Sequence, residues 1–326
     1  MLRFPFPSSL LSSGLSPDVQ AIRERLKTTS EEAVTGRYSD LTNHLSGRIG
    51  QAMLGQKALD DIGEQRVRLT LQEGRLDVTQ TALSVVQAST NGIAARMQSA
   101  LGSGDGVSKA AAARDAGAAL EATFSALNTR LSGRYIFAGD ATSSLPLTSV
   151  ETLLTDIRQL AATSTDANAL SSALDTYFDT PGGGWRQNIY SGTETASDRL
   201  ATTGADTALL NVVRGLAVLA LSAPGEGLPL LEGNSTAAFN ASATLLAGQT
   251  ELTDLRANVG LSQAQISRDQ DALNVEETVM SATFNRLTAR DQYEAATELR
   301  ELERNLEASY LLTSRLSNLS LLNYLR

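Results

Sequence analysis

The sequence predicts a mainly α protein: an elongated bundle of long helices made by paired N- and C-terminal segments, with a small mixed α/β insert. Three observations carry this prediction. Ile62, Leu69, Leu76, Leu83, Thr90 and Met97 recur every seventh residue, the spacing of a long helix with a coiled-coil-like seam. From Ser235 through Tyr324 there is no proline, and the only glycines are Gly248 and Gly260. Aromatic residues make up 5% of the 326 residues, with one Trp, which favours extended helix-on-helix packing over an aromatic-centred globule.

Taken in order, residues 1–17 read as a flexible lead broken by Pro5 and Pro7. Asp18 can cap a helix that carries Val19, Ile22 and Leu26 on one side and runs toward Ala33, pausing near Gly36. Residues 38–56 are ambiguous, because Leu41, Leu45 and Ile49 have helical spacing but Gly47, Gly50 and Gly55 weaken it. The heptad stripe then predicts one helix over 58–101, widened by Leu59, Val86, Ile93 and Leu101. At 1.5 Å per residue it would span on the order of 65 Å. Gly102–Gly106 ends it, and a second helix over 108–132, with Gly133 as its C-cap, folds back antiparallel.

The middle is different in character. Helical patterns at about 148–163 and 167–178 precede Pro181-Gly-Gly-Gly. Residues 185–190 and 196–202 read as short strands, together a candidate hairpin. Residues 209–221 form a buried helix, and 223–234 a loop. Long helices return after 235, with Phe239, Leu245, Leu252, Leu255, Val259, Ile266, Leu273, Val279, Thr283 and Leu287 along the stripe. The expected division is 1–45, a terminal-helix segment; 46–140 and 236–292, the two halves of a helical rod; 141–235, the insert; and 293–326, a C-terminal assembly helix.

That last helix is unusual. Leu299, Leu302 and Leu306 form one apolar stripe flanked by charges, but seven leucines between 311 and 325 then spread over several faces. A helix apolar on several sides must be buried on several sides. Seven polar residues among them argue against a bilayer span. The expected partners are helices of this chain and of other copies.

Chemistry is sparse. Cys is absent and His44 is the only histidine, so no thiolate site, multi-His metal site or His-based triad can be assembled. His44 itself reads as a solvated or capping residue. No phosphate loop, G-x-S-x-G or H-E-x-x-H occurs. The net charge of −9 disfavours nucleic-acid partners. No catalytic, cofactor or metal residues are assigned, and an enzyme is not expected.

Both ends resemble the flagellin family. Residues 293–297 (Tyr-Glu-Ala-Ala-Thr) through 321–325 (Leu-Leu-Asn-Tyr-Leu) look like its closing helix, and Glu31-Glu-Ala-Val-Thr-Gly-Arg37 is similar to its S-G-K/R segment, with Thr35 in place of Ser. Gly133-Arg-Tyr-Ile-Phe-Ala-Gly139 and Tyr190-Ser-Gly192 resemble the G-x-Y-x-F-x-G and Y-x-G segments of the hook-associated protein 3 branch, the hook–filament junction proteins. The Asn-Gln-x-Pro-x-Asn segment of filament flagellins is missing.

The resemblance implies a structural protein outside the cell, in the bacterial flagellum, exported without a cleavable signal peptide. It implies self-association into a ring layer, contacts with hook-associated protein 1 and with flagellin, and an export chaperone at the C-terminal helix. No nucleic acid, membrane insertion or cofactor is expected. Val19, Ile22, Leu26, Leu299, Leu302, Leu306, Leu312, Leu316, Leu319, Leu322 and Leu325 are the expected assembly surface. Alternatives are a filament flagellin and a secreted coiled-coil effector or adhesin.

Overall fold

The structure, a computed structural model, describes residues 8–232 and 235–324; the side chains of 8–16, 235 and 316–324 lie outside the described part. It is mainly α, with long packed helices, as the periodicity predicts. Eleven α-helices and one two-stranded sheet are present among the described residues. They form two compact units. One takes in the described residues up to Arg66 and those from Ala272; the other is Val67–Asp271.

In the first unit α1 (Ser8–Thr35) packs on α11 (Gln292–Tyr324). α1 corrects the expected start at Asp18, because the helix continues through Pro17. A proline removes one backbone donor and costs a hydrogen bond, yet the helical backbone runs on through it here. At the other end the expected pause holds: Gly36, at φ +66°, stops α1. The ambiguous stretch resolves into α2 (Leu41–Leu45), capped by the Asp40 carboxylate on the Asn43 amide, and the start of α3 (Ile49–Thr90). Leu45, Ala52 and Phe284 form this unit's small core, with Leu41, Leu59 and Leu287 against it.

α3 and α10 (Ser235–Thr288) contribute residues to both units and pair antiparallel in each. In the first unit Arg66 pairs with Glu277 and donates to the Asn274 side chain at 2.9 Å. In the second, Glu73 accepts from Gln270 (2.8 Å), Asp77 from Gln263 (2.6 Å), and the Thr90 carbonyl from Gln249 (2.8 Å). As numbers rise on one helix they fall on the other. The predicted heptad stripe is the buried seam: Ile62, Leu76, Leu83, Thr90 and Met97 are all buried. Opposite it, Leu245, Leu252, Val259, Ile266 and Leu273 are also seven apart and buried. Phe239, Val279 and Thr283, expected on the stripe, are exposed instead.

The single helix expected over 58–101 is broken. Asn91-Gly92 interrupts it, and α4 (Ile93–Ser103) begins after Gly92 at φ +72°. The heptad count continues across the break, so the pattern could not reveal it. α4 ends at Gly104, Asp105 caps α5 (Gly106–Leu127), and α5 folds back on α4, as the glycine run predicts.

α5 stops at Leu127, before its expected end. Gly133 is therefore no C-cap; with Ser132 (φ 50° and 80°) it makes the turn of a hairpin, β1 (Arg130–Leu131) against β2 (Arg134–Tyr135). Two left-handed residues suit a two-residue hairpin turn whose twist matches the strands.

The insert is helical, not mixed α/β. α6 (Val150–Thr163), α7 (Ala167–Asp179) and α8 (Thr207–Ala220) fall where expected. The strands expected at 185–190 and 196–202 do not form: Trp185–Ile189 is a π-helical turn and 196–202 is irregular. Trp185 and Ile189 are buried while Gln187 between them is exposed; a strand would put all three on one face, whereas a helical turn turns Gln187 away. Trp185 meets Phe124, Phe178 and Tyr190, with ring centroids 6.5, 5.5 and 6.5 Å away. Within the expected loop, α9 (Pro229–Glu232) is held by Lys109, whose ammonium donates to the Leu231 and Glu232 carbonyls at 3.0 and 2.9 Å.

Candidate assembly surface

The terminal helices pack on each other, and the apolar residues expected on them differ in burial. Val19, Ile22 and Leu26 on α1 are half-buried. On α11 Leu302 is buried, while Leu299 and Leu306 are half-buried. Polar ties run along the pair. Arg23 Nε donates to the Tyr310 hydroxyl at 2.9 Å, and Arg25 pairs with Glu298 at 3.0 Å. Such exposed contacts fix orientation and add little stability.

Leu312 parts company with this group. It is 55% exposed, beside Leu311 at 63%. Leu316, Leu319 and Leu322 have side chains outside the described residues, as does Leu325 altogether. The first unit carries further uncovered apolar side chains: Val34, Met53, Leu54, Val275, Val279 and Tyr293 are all exposed. Single exposed apolar residues are ordinary. The second unit exposes apolar side chains as well, among them Val67, Leu71 and Leu261.

Where α1 ends and α11 begins, a buried network went unseen in the sequence. Arg290 pairs with Glu32 and with Glu298, and its guanidinium lies 5.5 Å from the Tyr38 ring centroid. The Glu32 carboxylate also accepts from the Ser39 amide at 2.8 Å. The other face of this cluster includes His44, stacked on Tyr38 at 3.6 Å. His44 is thus a ring-stacking residue, which a reading of it as solvated or capping did not foresee.

The second unit brings together two segments that sequence similarity singled out separately. The Tyr190 hydroxyl donates to the Phe137 and Thr193 carbonyls, at 3.0 and 2.9 Å. Gly204 N–H donates to the same Phe137 carbonyl at 2.9 Å, and Thr193 N–H to that of Ala138 at 3.0 Å. Gly139 sits at φ +62°, where a Cβ would stand 2.6 Å from the Thr193 carbonyl oxygen. A Cβ on Gly192 would stand 2.8 Å from the Ala138 carbonyl oxygen. Both glycines are therefore required by close backbone approach. Burial pushes the Tyr190 phenol up to about 12. In the same unit Tyr177 donates to Asp156 at 2.7 Å, and burial raises its pKa strongly. Tyr190 thus ties the 133–139 and 190–193 segments together, and Tyr177 joins α7 to α6.

Among the described residues, no group of three or more His, Asp or Glu is placed to hold a metal ion. No helix among them is long and apolar enough to cross a membrane.

Residues 247–325 match the family of the bacterial flagellin C-terminal helical region. No curated protein matches the sequence. Among solved structures, one similar chain is the crystal structure of Bacillus cereus FlgL, at 15% identity and a TM-score of 0.33. That alignment covers 74% of this chain and 96% of the other. The matched family segment spans the C-terminal part of α10 and nearly all of α11, the helix that carries Leu299 to Leu312. The segment 247–325 is therefore similar to the bacterial flagellin C-terminal helical region.

Proposed function

We propose that the chain is a structural component of the bacterial flagellum that joins hook to filament, polymerising through its terminal helices. The observation that carries this is the pairing of α1 with α11 beside uncovered apolar residues such as Leu311, Leu312 and Tyr293. A flagellin-type C-terminal region with apolar side chains left in water gains by burying them against further copies. The junction role, as opposed to the filament role, rests on the Gly133–Gly139 and Tyr190–Gly192 segments, which pack against each other around the Phe137 carbonyl.

On this proposal, 1–45 and 293–326 form the assembly layer, 46–140 with 236–292 the helical rod, and 141–235 the insert. The chain leaves the cell without a cleavable signal peptide and sits between hook-associated protein 1 and the first flagellins, having been escorted by an export chaperone on its C-terminal helix.

Antibody labelling of isolated hook–filament structures tests the role. A single band at the hook–filament boundary is expected. Label along the whole filament would replace the junction role with that of a filament flagellin. A deletion strain that still builds filaments on unlabelled hooks would point to a secreted coiled-coil effector or adhesin.

A further inference from the structure

α1 and α11 join the rest of their unit through two chain breaks that lie side by side. Residues 36–40 follow α1, and 289–291 precede α11. Arg37 and Ala289 form an isolated antiparallel bridge, Tyr38 N–H donates to the Thr288 carbonyl at 3.1 Å, and Arg290 N–H to the Gly36 carbonyl at 2.9 Å. Two adjacent breaks of this kind are the geometry of a hinge, in which a few element-terminal residues absorb the rotation.

We infer that Arg290 is the pin of a lockable joint, holding the α1–α11 pair at a fixed angle to α2, α3 and α10 within their unit. Its side chain is 10% exposed and, from the segment that links α10 to α11, grips both terminal helices through Glu32 on α1 and Glu298 on α11, while it lies over Tyr38 of the other linking segment, whose ring stacks on His44 of α2. Glu32, 6% exposed, is held in turn by the Ser39 amide. A planar fork with fixed donor directions can clamp two carboxylates at once, which a point charge cannot. Buried charges that satisfy one another in only one arrangement discriminate against others, because any swivel leaves a charge without its partner. The role assigned to Arg290 is therefore positioning, and it holds whether or not the chain joins hook to filament.

The chain has no cysteine, so spin labels can be placed at will. Lys57→Cys on α3 and Arg304→Cys on α11, both at exposed positions, report the angle of the pair by pulsed dipolar spectroscopy on the full chain. One narrow distance distribution is expected with the joint intact. Arg290→Gln is expected to widen it at least twofold at unchanged helical content. Glu32→Gln, which keeps the acceptor for Ser39, is expected to do the same. Arg290→Lys is expected to widen it by an intermediate amount. Distributions as narrow as the parent in both Gln variants would overturn the proposal. So would a loss of overall helicity in place of the widening, since the network would then be a requirement for folding and not a joint.

Discussion

Leu302 and Leu312 stand on the same helix and test different statements about it. Leu302 is 6% exposed, inside the α1–α11 pair, whereas Leu312 is 55% exposed. Leu302→Ala removes three buried carbons, worth about 0.8 kcal/mol each in transfer, and leaves a cavity on top of that. The sum is about 3 kcal/mol of lost stability for the first unit. With a urea slope of about 3 kcal/mol/M, the transition midpoint should fall by roughly 1 M. Leu312→Ala removes carbons already in water and should move the midpoint by less than about 0.2 M. Its effect should be on self-association. Covering a half-exposed leucine in a subunit contact is worth about 1.5 kcal/mol, so the apparent association constant should fall about tenfold. Circular dichroism through a urea series and sedimentation velocity on the full chain read the two quantities separately. If Leu312→Ala shifts the urea midpoint as far as Leu302→Ala and leaves sedimentation unchanged, the residue belongs to the subunit's own core. α11 would then carry no outward-facing assembly surface at Leu312.

Three further outcomes are expected. Gly248→Ala in α10 should destabilise the second unit by about 1–2 kcal/mol in thermal unfolding despite alanine's better helix propensity, because the new Cβ would stand 2.7 Å from the Val212 amide nitrogen. Gly260→Ala, on the same helix with open space around it, should instead be neutral or stabilising by up to about 1 kcal/mol. Tyr190 and Tyr177 should add a step to alkaline unfolding. Their folded pKa values are raised above the unfolded value of 10.0, so their stabilisation is complete below pH 10 and is lost as pH rises above it. Absorbance at the phenolate band should show these two tyrosines ionising only together with unfolding, and Tyr190→Phe should weaken that coupling.

What could be read from the sequence was the part governed by period. The heptad positions from Ile62 to Met97 are the buried seam, and α6, α7 and α8 appear where apolar spacing put them. Glycine was legible as punctuation but ambiguous in kind. Gly36 ends a helix, Gly92 breaks one without disturbing the heptad count, and Gly133 turns a hairpin, all at positive φ. A left-handed residue marks the place of a change in direction, while the partner that packs afterwards decides which change it is. Residues 185–190 failed for a related reason: Trp185 and Tyr190 favour strands by propensity, but the Phe124–Phe178 pocket that receives the indole wins over it.

The candidate surface divides along the same line. Leu299, Leu302 and Leu306 announce their face by spacing, and they are buried or half-buried on the helix that packs on α1. Leu312 was placed in the same set because it too is an apolar residue on the same helix, yet it lies off the packed stripe and faces water. An excess of leucine over what one neighbour can cover was thus visible in the sequence, but which leucines were in excess was not. The Arg290 network shows the limit most clearly. Arg290 and Glu32 are ordinary charged residues in their own segments, and nothing in their local spacing distinguishes them from the exposed Arg300 or Glu301. Their significance arises only when antiparallel pairing of α1 with α11 brings the two chain breaks together and removes both charges from water. Long-range pairing therefore does two things here: it uses up the apolar stripe that the sequence advertises, and it creates a buried charged joint that the sequence does not.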